Sequence, residues 1–154
     1  MESKAKKILV ADDEPDILEI ISYNLKREGY DIYTAKDGNE AIDKAKQLLP
    51  DLIILDIMMP YKTGIEVCQI LRTNPIFQTT LIIFLTALND ETSQIKGLES
   101  GADDYVNKPI SPKVLNSRVN ALFRRIAATR STQSFMDELF TIISSVVIGT
   151  DCYQ

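Results

Sequence analysis

Five short apolar runs punctuate the chain, and between them apolar residues recur at helical spacing. The runs are residues 8–11 (ILVA), 32–35 (IYTA), 52–55 (LIIL), 81–85 (LIIFL) and 105–106 (YV). Each is bounded by Gly, Pro, Asp or Asn, and the third and fourth are unbroken Leu, Ile and Phe, as in strands covered on both faces. Residues 15–28 repeat apolar positions at Ile17, Ile20, Ile21 and Leu25, with Pro15 as an early helical residue and Gly29 as the stop. Residues 38–49 place Ala41, Ile42, Ala45 and Leu49 on one helical face and stop before Pro50. Residues 64–72 and 90–100 read as two more helices, the second stopped at Gly101. Residues 111–125 open with Ser111 as N-cap and Pro112 at the first helical position, then run through Val114, Leu115, Val119, Leu122 and Phe123. Strict alternation of this kind predicts an α/β (βα)5 fold: a parallel sheet with helices on both faces and right-handed crossovers.

Beyond the fifth helix the texture changes. Residues 127–134 are small and polar, a linker or a frayed helix end. Residues 135–148 then set Phe135, Leu139, Ile142 and Val146 on one stripe, with Met136, Phe140, Ile143 and Val147 beside it, predicting an amphipathic helix with a wide apolar face. No Lys or Arg occurs from residue 131 onward. The expected layout is a compact domain over 1–126, a linker over 127–134, and a helical tail or the start of a further domain over 135–154.

Composition narrows the function classes. At 154 residues, 45% hydrophobic and 25% charged, the chain suits one compact domain with a short appendage. Such a domain buries about two-thirds of its unfolded surface and needs no disulfide or metal staple. Cys68 and Cys152 are far apart in no metal-ligand spacing; Cys68, among Val67, Ile70 and Leu71, reads as a small buried thiol. That usage fits a reducing, cytoplasmic setting. No stretch approaches the ~20 apolar residues of a membrane span. The basic opening MESKAKK leads into an apolar run too short for a secretory leader. With 17 basic and 22 acidic residues the net charge is −5, which argues against this segment being a DNA-binding surface. Histidine is absent, which excludes His metal sites, His general bases and phosphohistidine carried on this chain.

The polar residues at the predicted strand ends carry the candidate chemistry. The first strand runs out into Asp12, Asp13 and Glu14; the third ends at Asp56, the fourth at Thr86, the fifth just before Lys108-Pro109. Doubly wound sheets gather chemistry beyond the carboxyl ends of their strands, so these residues face one rim. Carboxylates crowded there have raised pKa values unless a cation neutralises them, and a hard, oxygen-lined site with few protein ligands suits Mg2+. A Lys and a Thr hydroxyl supply the charge neutralisation and hydrogen bond that phosphoryl transfer requires, and a carboxylate nucleophile gives an acyl phosphate. Taken singly, each residue has a structural explanation. Asp12 and Asp13 can be acids at a helix start, Asp56 a loop cap, Thr86 a strand end, Lys108 a surface charge and Tyr105 a half-buried strand residue. Their joint placement favours the site.

The segments ILVADDEPDI, PDLIILDIMMPYKTG, LIIFLTA and GADDYVNKPIS resemble the signature segments of the receiver (CheY-like) domain of two-component response regulators, over about residues 6–125. The resemblance implies the flavodoxin-like fold with strand order 2-1-3-4-5. It implies that Asp12 and Asp13 are the acidic Mg2+ pair, that Asp56 is both phosphoacceptor and metal ligand, and that Met58 offers its backbone carbonyl to the metal. Thr86 matches the switch hydroxyl, Ala87 the small residue that leaves room for the phosphoryl group, Tyr105 the aromatic switch and Lys108 the phosphate-binding lysine. The Lys108-Pro109 bond is expected to be cis. The implied partner is a sensor histidine kinase or phosphotransfer protein. Such a domain is no enzyme beyond catalysing its own phosphorylation and slow dephosphorylation. It passes the signal on through the face made by the fourth helix, fifth strand and fifth helix.

Receivers of OmpR-type transcription factors are similar, and they dimerise through that face by charge pairs. Asp103 or Asp104 with Arg118 keeps one such pair here, whereas Gln94, Val114 and Asn120 stand where charges are common. A homodimer through that face or through the tail helix, no membrane association, and DNA contact only through an output domain beyond these residues are the corresponding expectations. STQSFMDELFTIISS also resembles the helix leading into some AraC-type DNA-binding domains. The rival class is a haloacid-dehalogenase-like phosphatase, which requires D-x-D; Asp56-Ile57-Met58 lacks the second Asp, and two residues on from Asp12 and Asp13 stand Glu14 and Pro15. No G-x-G-x-x-G or Walker motif supports nucleotide binding.

Overall fold

A computed structural model describes residues 4–87 and 90–151; Cys152 lies outside them. The elements run β1 (Lys7–Ala11), α1 (Pro15–Arg27), β2 (Asp31–Ala35), α2 (Gly38–Leu48), β3 (Leu52–Asp56), α3 (Gly64–Arg72), β4 (Leu81–Ala87), α4 (Glu91–Glu99), β5 (Asp104–Lys108) and α5 (Pro112–Asp151). All strand pairs are parallel, in the order β2-β1-β3-β4-β5. The expected flavodoxin-like (βα)5 sheet is therefore present, followed by a helical extension.

Burial follows the sequence pattern. Every residue of β3 is buried, as are the first six of β4, while the edge strands β2 and β5 bury only Ala35 and Val106. Alternation sends Leu9, Ala11, Ile53, Leu55, Ile82 and Phe84 into one cluster with Ala41, Ala45, Val67 and Leu71 of α2 and α3. Ile8, Val10, Leu52 and Ile54 point the other way, where α1 brings the buried Ile21 and Leu25. Each buried Val, Leu, Ile or Phe side chain among these contributes roughly 1.5–3 kcal/mol by leaving water.

Local signals place the helix ends. The Asp37 side chain accepts from Glu40 N at 2.8 Å to cap α2, and Thr63 with Glu66 forms a reciprocal capping box on α3. Gly29 and Gly101, which follow α1 and α4 at φ +96° and +105°, adopt the left-handed conformation that stops a helix. Helix α4 is one residue shorter at each end than the spacing predicts, because Asp90 serves as its N-cap and Ser100 as its C-cap.

Three features differ from expectation. Strands β4 and β5 continue to Ala87 and Lys108, their ladder closing on Thr86↔Asn107 and Ala87↔Lys108, pairs with a polar member that an apolar-run criterion misses. A 3-10 turn at Pro75–Phe77, capped by the Asn74 side chain, buries Phe77 between α3 and β4. The predicted linker at 127–134 is helical: α5 runs unbroken for 40 residues, since this stretch holds no Gly or Pro to end it. The chain divides into two compact units, Met1–Asn116 and Ser117–Gln154. The first contains the sheet, α1 to α4 and the opening of α5; the second contains the remainder of α5, whose Phe135, Phe140, Ile142 and Ile143 are exposed.

Candidate functional site

Register brings the acids together. Ala11 of β1 pairs with Leu55 of β3, so the next residues, Asp12 and Asp56, emerge side by side at adjacent strand ends. Asp12 N still donates to Ala35 O at 3.1 Å, while Asp12 Oδ1 accepts from Glu14 N at 2.9 Å and so starts the turn into α1. Asp56 closes β3, and its Oδ1 accepts from Met58 N at 3.3 Å. Both carboxylates are buried; Asp13 is exposed, yet its carboxylate joins theirs, with one oxygen from each of the three within 4.8 Å of the others.

Lys108, at the end of β5, reaches this group from two strands away. Its Nζ stands 3.2 Å from Asp12 Oδ2, 3.3 Å from Asp56 Oδ2 and 3.7 Å from Glu14 Oε1. One ammonium thus faces several acids, and the acids are not at rest. Burial, reinforced by repulsion from Asp12, pushes the Asp56 carboxyl up to about 6 despite Lys108 and the Met58 amide. Burial likewise raises Asp12 against the pull of the Glu14 amide and Lys108. Burial alone would lower Lys108, but the charges of Asp56 and Asp12 outweigh it and hold the ammonium above its ordinary value.

The donor set fits a divalent cation. Asp12 Oδ2 is fully buried and, beyond its ion pair with Lys108, accepts no hydrogen bond. An oxygen without a donor, beside a second buried carboxylate and an exposed third, is what a hard cation with several waters can satisfy. A pocket of about 310 Å³ opens over the group, lined by Asp13, Glu14, Asp56, Met58, Asp90 and Lys108 with Ile57, Leu85 and Ala87.

The other predicted residues are arranged less tightly. Thr86 is buried one step beyond Leu85, the partner of Asp56, but its hydroxyl donates to Ala87 O at 3.5 Å, and Leu85 and Ala87 line the pocket in its place. Tyr105 pairs with Phe84 and is half-buried against the core cluster, on the same sheet face as Thr86 and two residues before its register. Met58 projects its side chain into solvent at 72% exposure. The Lys108-Pro109 bond is cis. Of the expected dimer pair, Asp103 is engaged within the chain, by Arg72 at 3.2 Å and Ile82 N at 2.9 Å.

Sequence reasoning gave no role to three residues near this rim. Glu14 was visible in the acidic run but had no role until Lys108 was placed near it. Gly64 and Gly38 looked like ordinary helix starts, yet a Cβ at either would lie 2.4 Å from a backbone oxygen of Asp56 or Lys62. A glycine at the first position of a helix, directly after an N-cap, was the available signal.

Comparison with known proteins agrees with this geometry. The family description "Response regulator receiver domain" matches residues 8–120. The alkaline phosphatase synthesis transcriptional regulatory protein PhoP of Bacillus subtilis (strain 168) is 52% identical over 152 residues, 97% of this chain; the chain spans 62% of that relative's length. The receiver domain of the Francisella response regulator 1452 is 41% identical with a TM-score of 0.73, covering 79% of this chain and 98% of that one. The chemotaxis protein CheY4 of Vibrio cholerae is 32% identical with a TM-score of 0.73, covering 77% of this chain and 98% of that one.

Proposed function

Because the chain belongs to the response regulator receiver domain family, we propose that Asp56 is its phosphoacceptor and that a sensor histidine kinase or phosphotransfer protein is the donor. An Asp56 oxygen attacks phosphorus, the P–N bond of the partner's phosphohistidine breaks, the imidazole keeps the electron pair and takes up a proton, and an acyl phosphate remains. The observation that carries this reading is the Lys108 ammonium shared between Asp12 and Asp56. It holds the acceptor in its charged form, and it can turn to a phosphoryl oxygen as charge moves from carboxylate to phosphate.

Asp12, Asp13, Asp56 and the Met58 backbone carbonyl are the ligands for Mg2+, which when bound offsets charge on the carboxylates and the transferred group. Ala87 leaves room over Asp56. Thr86, whose hydroxyl is held only at 3.5 Å, swings to the phosphoryl group, and Tyr105 turns inward behind it. The mobile element is α4: its only fully buried residue is Gly97, and Ile95 and Leu98 are exposed. Few buried contacts mean a low cost of displacement, so the α4–β5–α5 face is the output surface and a dimer contact. The domain performs its own phosphorylation and slow dephosphorylation but turns over no other substrate.

Incubation with acetyl phosphate and Mg2+ tests the assignment. The parent chain acquires one acid-stable, base-labile phosphoryl group and Asp56→Asn acquires none; labelling of that variant would sink the proposal.

The output follows from the relative's role. We assign residues 1–126 to the receiver, 127–134 to a connecting segment and 135–154 to the approach to an output domain that controls transcription and alone touches DNA. Similarity to the PhoP regulator over 97% of the chain, well past residue 120, supports a continuation beyond the receiver. Among the described residues no helix is long and apolar enough to cross a membrane, in keeping with a cytoplasmic regulator. Truncation after Arg130 should leave a folded, labelled domain and reduce self-association through the exposed Phe135, Phe140 and Ile143, measured by sedimentation. Unfolding of the truncated chain would place the boundary elsewhere.

A further inference from the structure

The loop joining β3 to α3 is gripped from two sides by glycines. On the inner side Gly64 N donates to Ile57 O at 2.9 Å, and the first turn of α3 lies so close to β3 that a Cβ on Gly64 would sit 2.4 Å from Asp56 O, 3.0 Å from its carbonyl carbon and 3.1 Å from Ile57 Cα. On the outer side Gly38 N donates to Pro60 O at 3.4 Å, and a Cβ on Gly38 would sit 2.4 Å from Lys62 O and 2.7 Å from Lys62 Cβ. The Lys62 ammonium donates to Asn39 Oδ1 at 2.9 Å, binding the same loop to the start of α2. Between these grips Tyr61 is held at φ +69°, a conformation that a bulky residue adopts only when its surroundings dictate it.

The loop so held begins at the acceptor. Asp56 O is the atom a Cβ on Gly64 would strike, and the Met58 amide that orients Asp56 Oδ1 lies two residues on. Backbone atoms, unlike the end of a long side chain, cannot yield to a contact of 2.4 Å without moving the residue that carries them. We propose that Gly64 and Gly38 are positioning residues for phosphoryl acceptance: by lacking a Cβ they let α3 and α2 set the β3–α3 loop, and with it the Asp56 carboxylate and the Met58 carbonyl, before any donor arrives. The inference rests on the reading of Asp56 as acceptor. It adds that the geometry of this acceptor is imposed by the two helix starts and not by the carboxylate's own ion pair.

The test compares the full chain with Gly64→Ala, Gly38→Ala and Gly29→Ala. Gly29 is the control: at φ +96° an alanine there is strained, but nothing lies within 4 Å of the added Cβ, so it loses stability without touching the loop. Each protein is measured for urea stability, for Mg2+ affinity by amide NMR titration, and for labelling rate with saturating acetyl phosphate and Mg2+. Gly64→Ala should label about tenfold slower or worse, because misplacing a reacting group by ~1 Å can cost about a hundredfold. Gly38→Ala should change in the same direction by a smaller factor, and Gly29→Ala should label at the parental rate despite its lost stability. Folded Gly64→Ala with parental rate and Mg2+ affinity overturns the inference. If Gly64→Ala does not fold, Gly38→Ala decides alone, and parental behaviour there overturns it equally. An unlabelled parent chain, or a labelled Asp56→Asn, instead removes the underlying reading of Asp56.

Discussion

At the amino end of the sheet Arg72 is paired with Asp103 at 3.2 Å; at the carboxyl end Lys108 stands 3.2 Å from Asp12 and 3.3 Å from Asp56. The two clusters look alike as ion pairs and differ in what is left over. Arg72 donates through Nε to Gly101 O at 3.0 Å, through Nη1 to Thr80 O at 2.7 Å and Phe77 O at 2.5 Å, and through Nη2 to Asp103. Asp103 Oδ2 accepts from Ile82 N as well, so one guanidinium, with all three of its nitrogens donating, ties α3, the 3-10 turn and the starts of β4 and β5 together. Lys108, a compact point charge, faces three acids, one of which retains a buried oxygen without a hydrogen bond. A cluster whose donors and acceptors balance holds structure. One with unmatched negative charge has room for the cation proposed above.

That contrast predicts opposite losses on removing the two cations. Lys108→Ala should slow labelling by acetyl phosphate about a hundredfold or more while leaving a folded domain, because preorganised charge at the reacting group is lost. Arg72→Ala strands an aspartate and several carbonyls, and should cost about 2–4 kcal/mol in urea unfolding, yet label at close to the parental rate where it is folded. Equal effects of the two substitutions on labelling rate would erase the distinction drawn between the rims.

The unmatched charge also has a pH signature. The Asp56 carboxyl lies at about 6 in the folded chain against 3.8 for a free side chain, so the folded state binds that proton more tightly. Folding is therefore favoured at low pH, and this contribution is lost as pH rises from about 4 through about 6; Asp12, also raised, acts in the same direction. Lys108, raised as well, keeps its contribution throughout this window because it is lost only above its ordinary range. Without metal, stability should fall between about pH 4 and about pH 7 by on the order of 3 kcal/mol. Asp56→Asn should flatten the dependence and be more stable than the parent at neutral pH. A parent chain whose stability rises over that window would contradict a strained acceptor.

Metal binding sharpens the contrast further. Asp13→Ala removes the exposed member of the acidic set and should weaken Mg2+ about tenfold or more, leaving metal-free stability close to parental. Titration curves that superimpose would count against Asp13 as a ligand.

How far such a contrast can be read from a sequence depends on which atoms create it. The carboxyl-end rim was legible because its members are side chains at the ends of apolar runs: Asp12, Asp56, Thr86 and Lys108 each follow a strand that periodicity identifies, and parallel topology sends those ends to one place. The Arg72 cluster was not, because it is made with the carbonyls of Phe77, Thr80 and Gly101, which every residue possesses, on a 3-10 turn and loops too short for any period. The Gly64 and Gly38 contacts were hidden for the same reason, being approaches to backbone oxygen. The polar stretch at 127–134 misled in the other direction: its composition suggested a break, but Ala, Arg and Gln sustain a helix, and nothing there forces an end.

Glu14 is the place where the comparison should have least consequence. Its carboxylate stands 3.7 Å from Lys108 Nζ and lines the pocket, so by proximity it looks like a fourth member of the site. Its side chain is 62% exposed, however, against 0% for Asp12 and 7% for Asp56, and water screens a charge placed that way. Exposed pairs at this separation contribute about 0–1 kcal/mol, and they weaken further with salt. Glu14→Gln should thus change labelling by less than about threefold, with the change vanishing at high ionic strength, whereas the loss in Lys108→Ala should persist. Labelling rates of both variants at low and high salt make the measurement. A large, salt-resistant loss in Glu14→Gln would mean that the unmatched charge at this rim extends to the surface, and that burial is not what separates the acceptor's acids from their neighbour.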